Sequence, residues 1–224
     1  MQNQNEKTRI GESINNFIQK NRRPIFVLMG TVFLLLITSI ATLSLMDMYR
    51  SKAIGAVEDF SSRYDSLRYS INEESSSTDV EQLIAELKPF AEKNSGYAGG
   101  KAWLIIGSIH SERSEWAEAE AAWIKAAEKS AKNHIAPTAW FNAGVAAEQQ
   151  EKTEQAIDHY TRSLSSPAGF SSAPRAQFSI GRLRETMDDR ENAITAYRAV
   201  ISGWPFDRVW TNLAHSRIIA LEIQ

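Results

Sequence analysis

Histidine and cysteine, the residue types most often used as metal ligands and nucleophiles, are scarce in this sequence of 224 residues. The chain has no cysteine, which excludes a thiolate zinc site, a cysteine nucleophile and a disulfide framework. Its four histidines form neither an HExxH motif nor another close pair of ligands; they are His110, His134, His159 and His215. We therefore predict that the chain holds no metal ion and no other cofactor.

One segment, Gly-Tyr-Ala-Gly-Gly-Lys at residues 96–101, is similar to a phosphate-binding loop. A P-loop needs a glycine where Ser95 stands and a serine or threonine where Ala102 stands, so we interpret the segment as a linker. Acidic pairs such as Glu118 and Glu120 are predicted in turns or on solvated faces, with no apolar pocket to raise a carboxyl pKa. No catalytic constellation remains, and we predict that the protein is not an enzyme.

The carboxy-terminal half of the chain carries one pattern three times. Three glycines, Gly107, Gly144 and Gly181, follow one another at intervals of 37 residues. Each glycine has an alanine 12 residues after it and an aromatic residue four further on, and a tryptophan precedes the first two glycines by four. These partners are Trp103, Ala119, Trp123, Trp140, Ala156, Tyr160, Ala193 and Tyr197. Such a period predicts antiparallel helix pairs whose backbones approach closely at the small residues.

This register resembles the tetratricopeptide repeat (TPR) family, whose unit has Trp, Leu, Gly and Tyr on its first helix and Ala, an aromatic residue, Ala and Pro on its second. The resemblance implies an all-α solenoid over residues 99–224. Its three repeats are expected at about residues 100–133, 137–170 and 174–207, and a capping helix is expected after them.

An apolar segment without any charged residue spans residues 24–46. At 1.5 Å per residue it is long enough to cross a hydrocarbon core of about 30 Å, so we predict a single transmembrane helix. A cleaved signal peptide is an alternative, because Ser39 and Ala41 are small residues, although its apolar core is usually only about 7–15 residues long. A buried helix of a soluble protein is a further alternative. The run at residues 34–37 argues against it, because it shows no polar face.

Basic residues Lys20, Arg22 and Arg23 crowd the amino-terminal edge of the apolar segment. By the positive-inside rule, residues 1–23 are then a cytoplasmic tail, and the repeats lie in the periplasm, outside the inner membrane of a bacterium. Residues 47–98 are predicted to form a helical lead-in. Apolar spacing indicates one helix over residues 53–71, and a capping signal indicates a second over 79–93 that Pro89 kinks or ends. Whether this pair forms an extra degenerate repeat stays open.

The TPR resemblance also implies that the first helix of each repeat lines a concave groove for another polypeptide. The residues placed on the groove are Lys101, Leu104, Phe141, Asn142, Val145, Arg175, Phe178, Arg182, Arg208 and His215. They combine an apolar stripe with a basic edge, which suits an amphipathic or extended polypeptide. In the alternative interpretation, Phe141 and Phe178 are packing contacts between repeats. The carboxylate clamp of chaperone-binding TPR proteins is matched only at Asn142 and Arg175, so capture of a free carboxy terminus is not expected.

A short tail, one membrane helix and an external TPR solenoid resemble bacterial inner-membrane TPR proteins typified by the ancillary subunit of the Sec translocon. The resemblance implies a module that binds the translocon, chaperones or unfolded secreted clients. Two other classes stay open: a scaffold subunit of an envelope assembly complex, and an enzyme whose site is completed by a partner chain. A formal net charge of −2 makes a nucleic-acid partner unexpected, and no small-molecule substrate is predicted.

Overall fold

The computed structural model describes residues 11, 15–17, 19–69, 73–165 and 169–223. Most of the predicted cytoplasmic tail, the end of the helix expected at 53–71 and three residues of the second repeat lie outside them. The chain divides into two units, residues 1–52 and residues 53–224. Every regular element in the described ranges is an α-helix, which confirms the predicted all-α class.

Helix α1 spans Arg22–Tyr69, and its first part lies in the first unit. By length and composition this apolar part is able to cross a membrane, and none of its most apolar stretch is buried. Exposure argues against a core helix, whereas a signal sequence would meet the same criteria of length and composition. Threonine hydroxyls in this part donate to carbonyls one turn earlier, as from Thr31 to Val27 at 2.8 Å and from Thr38 to Leu34 at 3.0 Å. These bonds satisfy hydroxyls that lipid would leave without partners.

The second unit continues with helices that pack successively along the chain. They are α2 (Glu73–Lys93), α3 (Gly96–Glu112), α4 (Trp116–Lys129), α5 (Ile135–Gln149), α6 (Thr153–Leu164), α7 (Ala173–Thr186), α8 (Arg190–Gly203) and α9 (Arg208–Ile223). Helices α3 and α4, α5 and α6, and α7 and α8 form three pairs, and α9 packs on α8. We call α3, α5 and α7 the first helices, and α4, α6 and α8 the second helices.

The turn inside each pair has the same backbone conformation. Its central residue has a positive φ of 60–61°, at Ser114, Glu151 and Asp188. The amide of the next residue donates to a carbonyl near the end of the first helix; these bonds run from Glu115 to His110, from Lys152 to Ala147 and from Asp189 to Arg184, at 2.9–3.0 Å. Because the left-handed region is costly for residues with a Cβ, its recurrence at three non-glycine positions shows that the pair geometry imposes it.

The lead-in helices share a hydrophobic core with α3. Val57 and Tyr64 of α1 are buried in one cluster with residues of α2 and α3, and the rings of Phe60 and Phe90 meet edge to face with centroids 5.3 Å apart. Helix α2 begins at Glu73, six residues before the expected start, and continues through Pro89. The outer part of α1, residues 53–69, and α2 thus share one core with α3, the first helix of the first repeat.

The glycine-rich segment at 96–101 is not a linker, as the sequence suggested, but the first turns of α3. Gly100 lies against Ser130, just after α4, and a Cβ on Gly100 would stand 2.5 Å from the Ser130 Cβ. The glycine is therefore needed for close approach of two helices.

Candidate protein-binding face

The three repeated glycines each lie beneath an aromatic ring of the second helix in the same pair. A Cβ added to Gly107 would stand 2.5 Å from the ring of Trp123. The corresponding distances are 2.7 Å between Gly144 and Tyr160 and 2.6 Å between Gly181 and Tyr197. Ala119, Ala156, Ala193 and Trp103 are buried as well, whereas Trp140 is half-buried and stacks on His159 at 5.5 Å. The space for each ring exists only because the first helix has no side chain there.

Two of these rings also end at a carboxylate of the first helix. The Tyr160 hydroxyl donates to Glu148 at 2.6 Å, and Glu148 forms an ion pair with Arg182 of the next first helix. The Tyr197 hydroxyl donates to Glu185 at 2.9 Å, and Glu185 pairs with Arg217 of α9. Each carboxylate thus connects its own helix pair to the next.

A third carboxylate repeats this chemistry at the start of the stack. Glu112 of α3 accepts from the Tyr64 hydroxyl at 2.8 Å and pairs with Arg68 at 2.6 Å, both from the outer part of α1. We call the clusters around Glu112, Glu148 and Glu185 the carboxylate links.

The tyrosines of the links are held in their neutral, donating form. Burial, reinforced by the hydrogen bond to Glu148, raises the pKa of Tyr160 far above its ordinary value. Burial likewise raises the pKa of Tyr64, and it raises the pKa of Tyr197 to about 12. The links therefore keep their tyrosine protons at every pH near neutrality.

The two phenylalanines of the predicted apolar stripe pack inside the stack of helices. Phe141 is buried against the rings of Tyr160 and Phe170, with centroids 5.4 and 6.0 Å away. Phe178 is half-buried between Tyr197 of α8, at 5.1 Å, and Trp210 of α9, at 5.4 Å. These positions agree with the alternative interpretation, in which both phenylalanines join successive repeats.

The side chains at the amino-terminal end of the expected groove also have partners within the chain. Leu104 is half-buried and packs on the core clusters around α3 and α4. The Lys101 ammonium pairs with Glu58 of α1 at 2.6 Å and lies 5.7 Å from the Tyr97 ring centroid. The outer part of α1 thus supplies the partners of this end.

The open part of the expected groove lies toward the carboxy terminus. Arg175, Arg208 and His215 are exposed, and Asn142 and Val145 are half-buried. These five residues lie on the first helices α5 and α7 and on α9, which follows the last pair, and we call them together the first-helix face. Arg182 forms an ion pair with Glu148. Arg175 and Arg208 form no ion pair with any carboxylate in the described residues, although the Arg175 guanidinium lies 5.3 Å from the Phe141 ring centroid. The face therefore carries positive charge available to a partner.

One polar cluster differs from its sequence prediction. Glu120 is not on a solvated face but only 4% exposed, between α4 and the second repeat. It accepts from Gln155 at 2.6 Å and Gln150 at 2.8 Å, and it lies 3.0 Å from His159 Nε2. The spacing of Glu120 from Trp116 and Trp123, four and three residues, places it on the apolar side of α4 and was the available signal.

Burial works to raise the pKa of the Glu120 carboxyl, but the bonds from His159, Gln150 and Lys152 outweigh it and lower the pKa below its ordinary value. Glu120 therefore carries a buried negative charge that joins the first repeat to the second. In the part of the chain that the structure describes, no group of three His, Asp or Glu residues is placed to hold a metal ion.

Comparison with known proteins identifies the repeats. The tetratricopeptide repeat family model matches residues 137–168 and 174–202, which coincide with the pairs α5–α6 and α7–α8. These two pairs therefore match the tetratricopeptide repeat in sequence as well as in helical arrangement.

The chain is similar to a TPR repeat-containing protein of Treponema pallidum (strain Nichols). The two are 26% identical over 165 residues, which cover 67% of this chain and 69% of that protein. Among solved structures, the Arabidopsis OM64 TPR domain aligns with 54% of this chain and 94% of its own length, at 16% identity and a TM-score of 0.44.

Proposed function

We propose that the protein is a membrane-anchored interaction module that binds polypeptides on its first-helix face. Tetratricopeptide repeats bind other proteins, and the described structure has two exposed arginines on this face without a carboxylate partner. That uncompensated charge carries the proposal, because the neighbouring Arg182 is neutralised by a carboxylate link. A partner segment with acidic residues would pair with Arg175 and Arg208.

The proposal places the repeats in the periplasm and α1 in the inner membrane, where the module would hold unfolded clients or chaperones near the Sec translocon. The exposed apolar part of α1 and the basic residues before it support this arrangement. A scaffold role in an envelope complex is the second candidate. The carboxylate links favour it, since they tie successive helix pairs together and suit a rigid adaptor.

Charge reversal tests the binding face. Full-length protein carrying Arg175→Glu and Arg208→Glu is compared with wild type in pull-downs from detergent-solubilised membranes. Arg190→Glu, at an exposed residue of a second helix, is the matched control. We expect the double variant to lose its protein partners and the control to keep them. Capture of many unfolded clients would indicate a chaperone role, and capture of one stoichiometric partner would indicate a scaffold. Equal capture by wild type, double variant and control would show that the first-helix face does not bind the partners.

Membrane anchoring and orientation need a separate test. Alkaline carbonate extraction should leave the full-length protein in the membrane pellet, and protease added to intact spheroplasts should digest the repeats. A soluble protein that begins just after Ala41 would instead establish a cleaved signal peptide.

A further inference from the structure

The two arginines of the first-helix face occupy equivalent positions in α7 and α9. The position lies six residues before the small residue, glycine or alanine, at which each helix is buried in the stack, and its cations are Lys101, Arg175 and Arg208. At Lys101 the chain itself supplies a carboxylate, since Glu58 lies 2.6 Å from the ammonium. Arg175 and Arg208 pair with no carboxylate of the described ranges, so a partner has to supply theirs.

Helices α7 and α9 run parallel and side by side. The ring centroids of Phe178 and Trp210 are 5.4 Å apart, and seven residues further along each helix Glu185 pairs with Arg217. Both contacts join residues 32 positions apart in the sequence, so equal steps along α7 and α9 stay level. The two arginines are 33 positions apart and therefore lie level to within one residue, about one turn before the ring contact.

Carboxylates close to the two arginines in the chain or on the same helix are engaged elsewhere. Asp207 accepts the backbone N–H of Trp210 at 3.2 Å, and Glu185 belongs to a carboxylate link. Both arginines also stand in the first turn of their helices, where the helix dipole adds positive potential. The amino ends of α7 and α9 thus present two positive charges side by side.

We propose that the polypeptide segment bound by the first-helix face is extended and carries two acidic residues three positions apart, one for each arginine. This inference rests on the proposed function of that face. Packed helices have axes about 8–10 Å apart, so the two carboxylates need about the same separation. In a polyproline II conformation, residues i and i+3 lie on one side of the segment about 9.3 Å apart. Residues on one side of a β-strand are about 6.7 or 13 Å apart, which fits less well.

An α-helical segment would need a different surface. Its acidic residues would have to be seven positions apart to span about 10.5 Å, and its apolar side would need an apolar groove. Phe141 and Phe178, which could have formed such a groove, pack inside the stack. An extended segment requires no groove of this kind, because its contacts are made by the two charged pairs and its own backbone.

Short fluorescent peptides with blocked termini test the spacing. One peptide contains Glu-Pro-Ala-Glu, an isomer of the same composition contains Glu-Glu-Pro-Ala, and a neutral peptide contains Gln-Pro-Ala-Gln. Binding to full-length protein in detergent at low salt is followed by anisotropy. We expect the first peptide to bind at least about threefold more tightly than its isomer, because only its two carboxylates reach both arginines at once. The neutral peptide should bind at least about tenfold more weakly than the first.

Two variants assign the preference to the arginine pair. Arg208→Gln should bind both isomers equally, whereas Arg190→Gln, at an exposed residue of α8, should keep the preference. Equal binding of the isomers by wild type, a preference that survives Arg208→Gln, or tighter binding of a helical peptide with glutamates seven apart would overturn this inference. If that happens while Arg175→Glu with Arg208→Glu still loses its partners in the pull-down, the binding face stands and only the spacing is wrong.

Discussion

Replacing Gly144 with alanine tests whether the helix pairs depend on the glycine beneath each aromatic ring. The new Cβ would lie 2.7 Å from the Tyr160 ring, about 1 Å inside normal carbon contact. The ring has little freedom to retreat, since Tyr160 is 1% exposed and its hydroxyl is bonded to Glu148 at 2.6 Å. Overpacking of this kind costs about 1–3 kcal/mol, and the fixed ring favours the upper half of that range.

Alanine also has an intrinsic advantage over glycine in a helix, about 1 kcal/mol. The two effects leave Gly144→Ala destabilised by about 1–2 kcal/mol, which corresponds to a loss of about 2–8 °C in Tm for a unit of this size. Gly55→Ala is the control, because Gly55 is an exposed helical glycine with no atom within 4 Å of its built Cβ. We expect that variant to be unchanged or stabilised by up to about 1 kcal/mol.

The assay is thermal and denaturant unfolding of full-length protein in detergent, followed by circular dichroism. Tyr160→Leu completes a double-mutant cycle, since removal of the ring relieves the clash and should make the two substitutions less than additive by about 1–2 kcal/mol. If Gly144→Ala is as stable as Gly55→Ala, or the cycle shows simple additivity, the packing argument is wrong.

Three further predictions concern buried groups. Glu120→Ala should cost about 3 kcal/mol in unfolding experiments because it leaves several polar partners without their acceptor, whereas Glu118→Ala at an exposed site should change little. Since the folded-state pKa of Glu120 is lowered, its contribution is present above the ordinary carboxyl pKa and should be lost as pH falls through the folded value; acid unfolding of the variant should show a weaker dependence. Burial raises the pKa of Tyr197 from 10.0 to about 12, so its contribution should be complete below pH 10.0 and disappear as pH rises through about 12, as absorbance of tyrosinate will show. Phe141→Asp should lower Tm and not merely partner capture, since it buries a charge at a 7% exposed site; unaltered melting would restore Phe141 to the binding face.

The repeat spacing was sufficient to predict the helix pairs, because the close packing of Gly107, Gly144 and Gly181 requires particular residue types at fixed intervals. The same periodicity does not distinguish residues that face a ligand from residues that face the next repeat. Phe141 illustrates this limit: its position on the first helix suggested a groove, whereas the ring is buried against Tyr160 of its own helix pair and Phe170 ahead of the next pair.

The polar contacts were less accessible to prediction, because their partners are far apart in the chain. Glu148 and Tyr160 belong to one repeat, but the arginine that completes their link comes from the next. The outer part of α1 has no glycine and aromatic register, and only the tertiary contacts of Tyr64 and Glu58 show that it packs as a further element of the stack.

The most direct test of the account is site-specific photocrosslinking of the full-length protein in its native membranes. A photoreactive side chain is placed at Asn142 on the first-helix face and, in a second variant, at the exposed Glu128 on a second helix. We predict that position 142 forms adducts with polypeptides and that an excess of the purified captured partner prevents them. Position 128 should form few adducts or none. Equal adducts from both positions, or none from 142 while partners still co-purify, would contradict binding on the first-helix face.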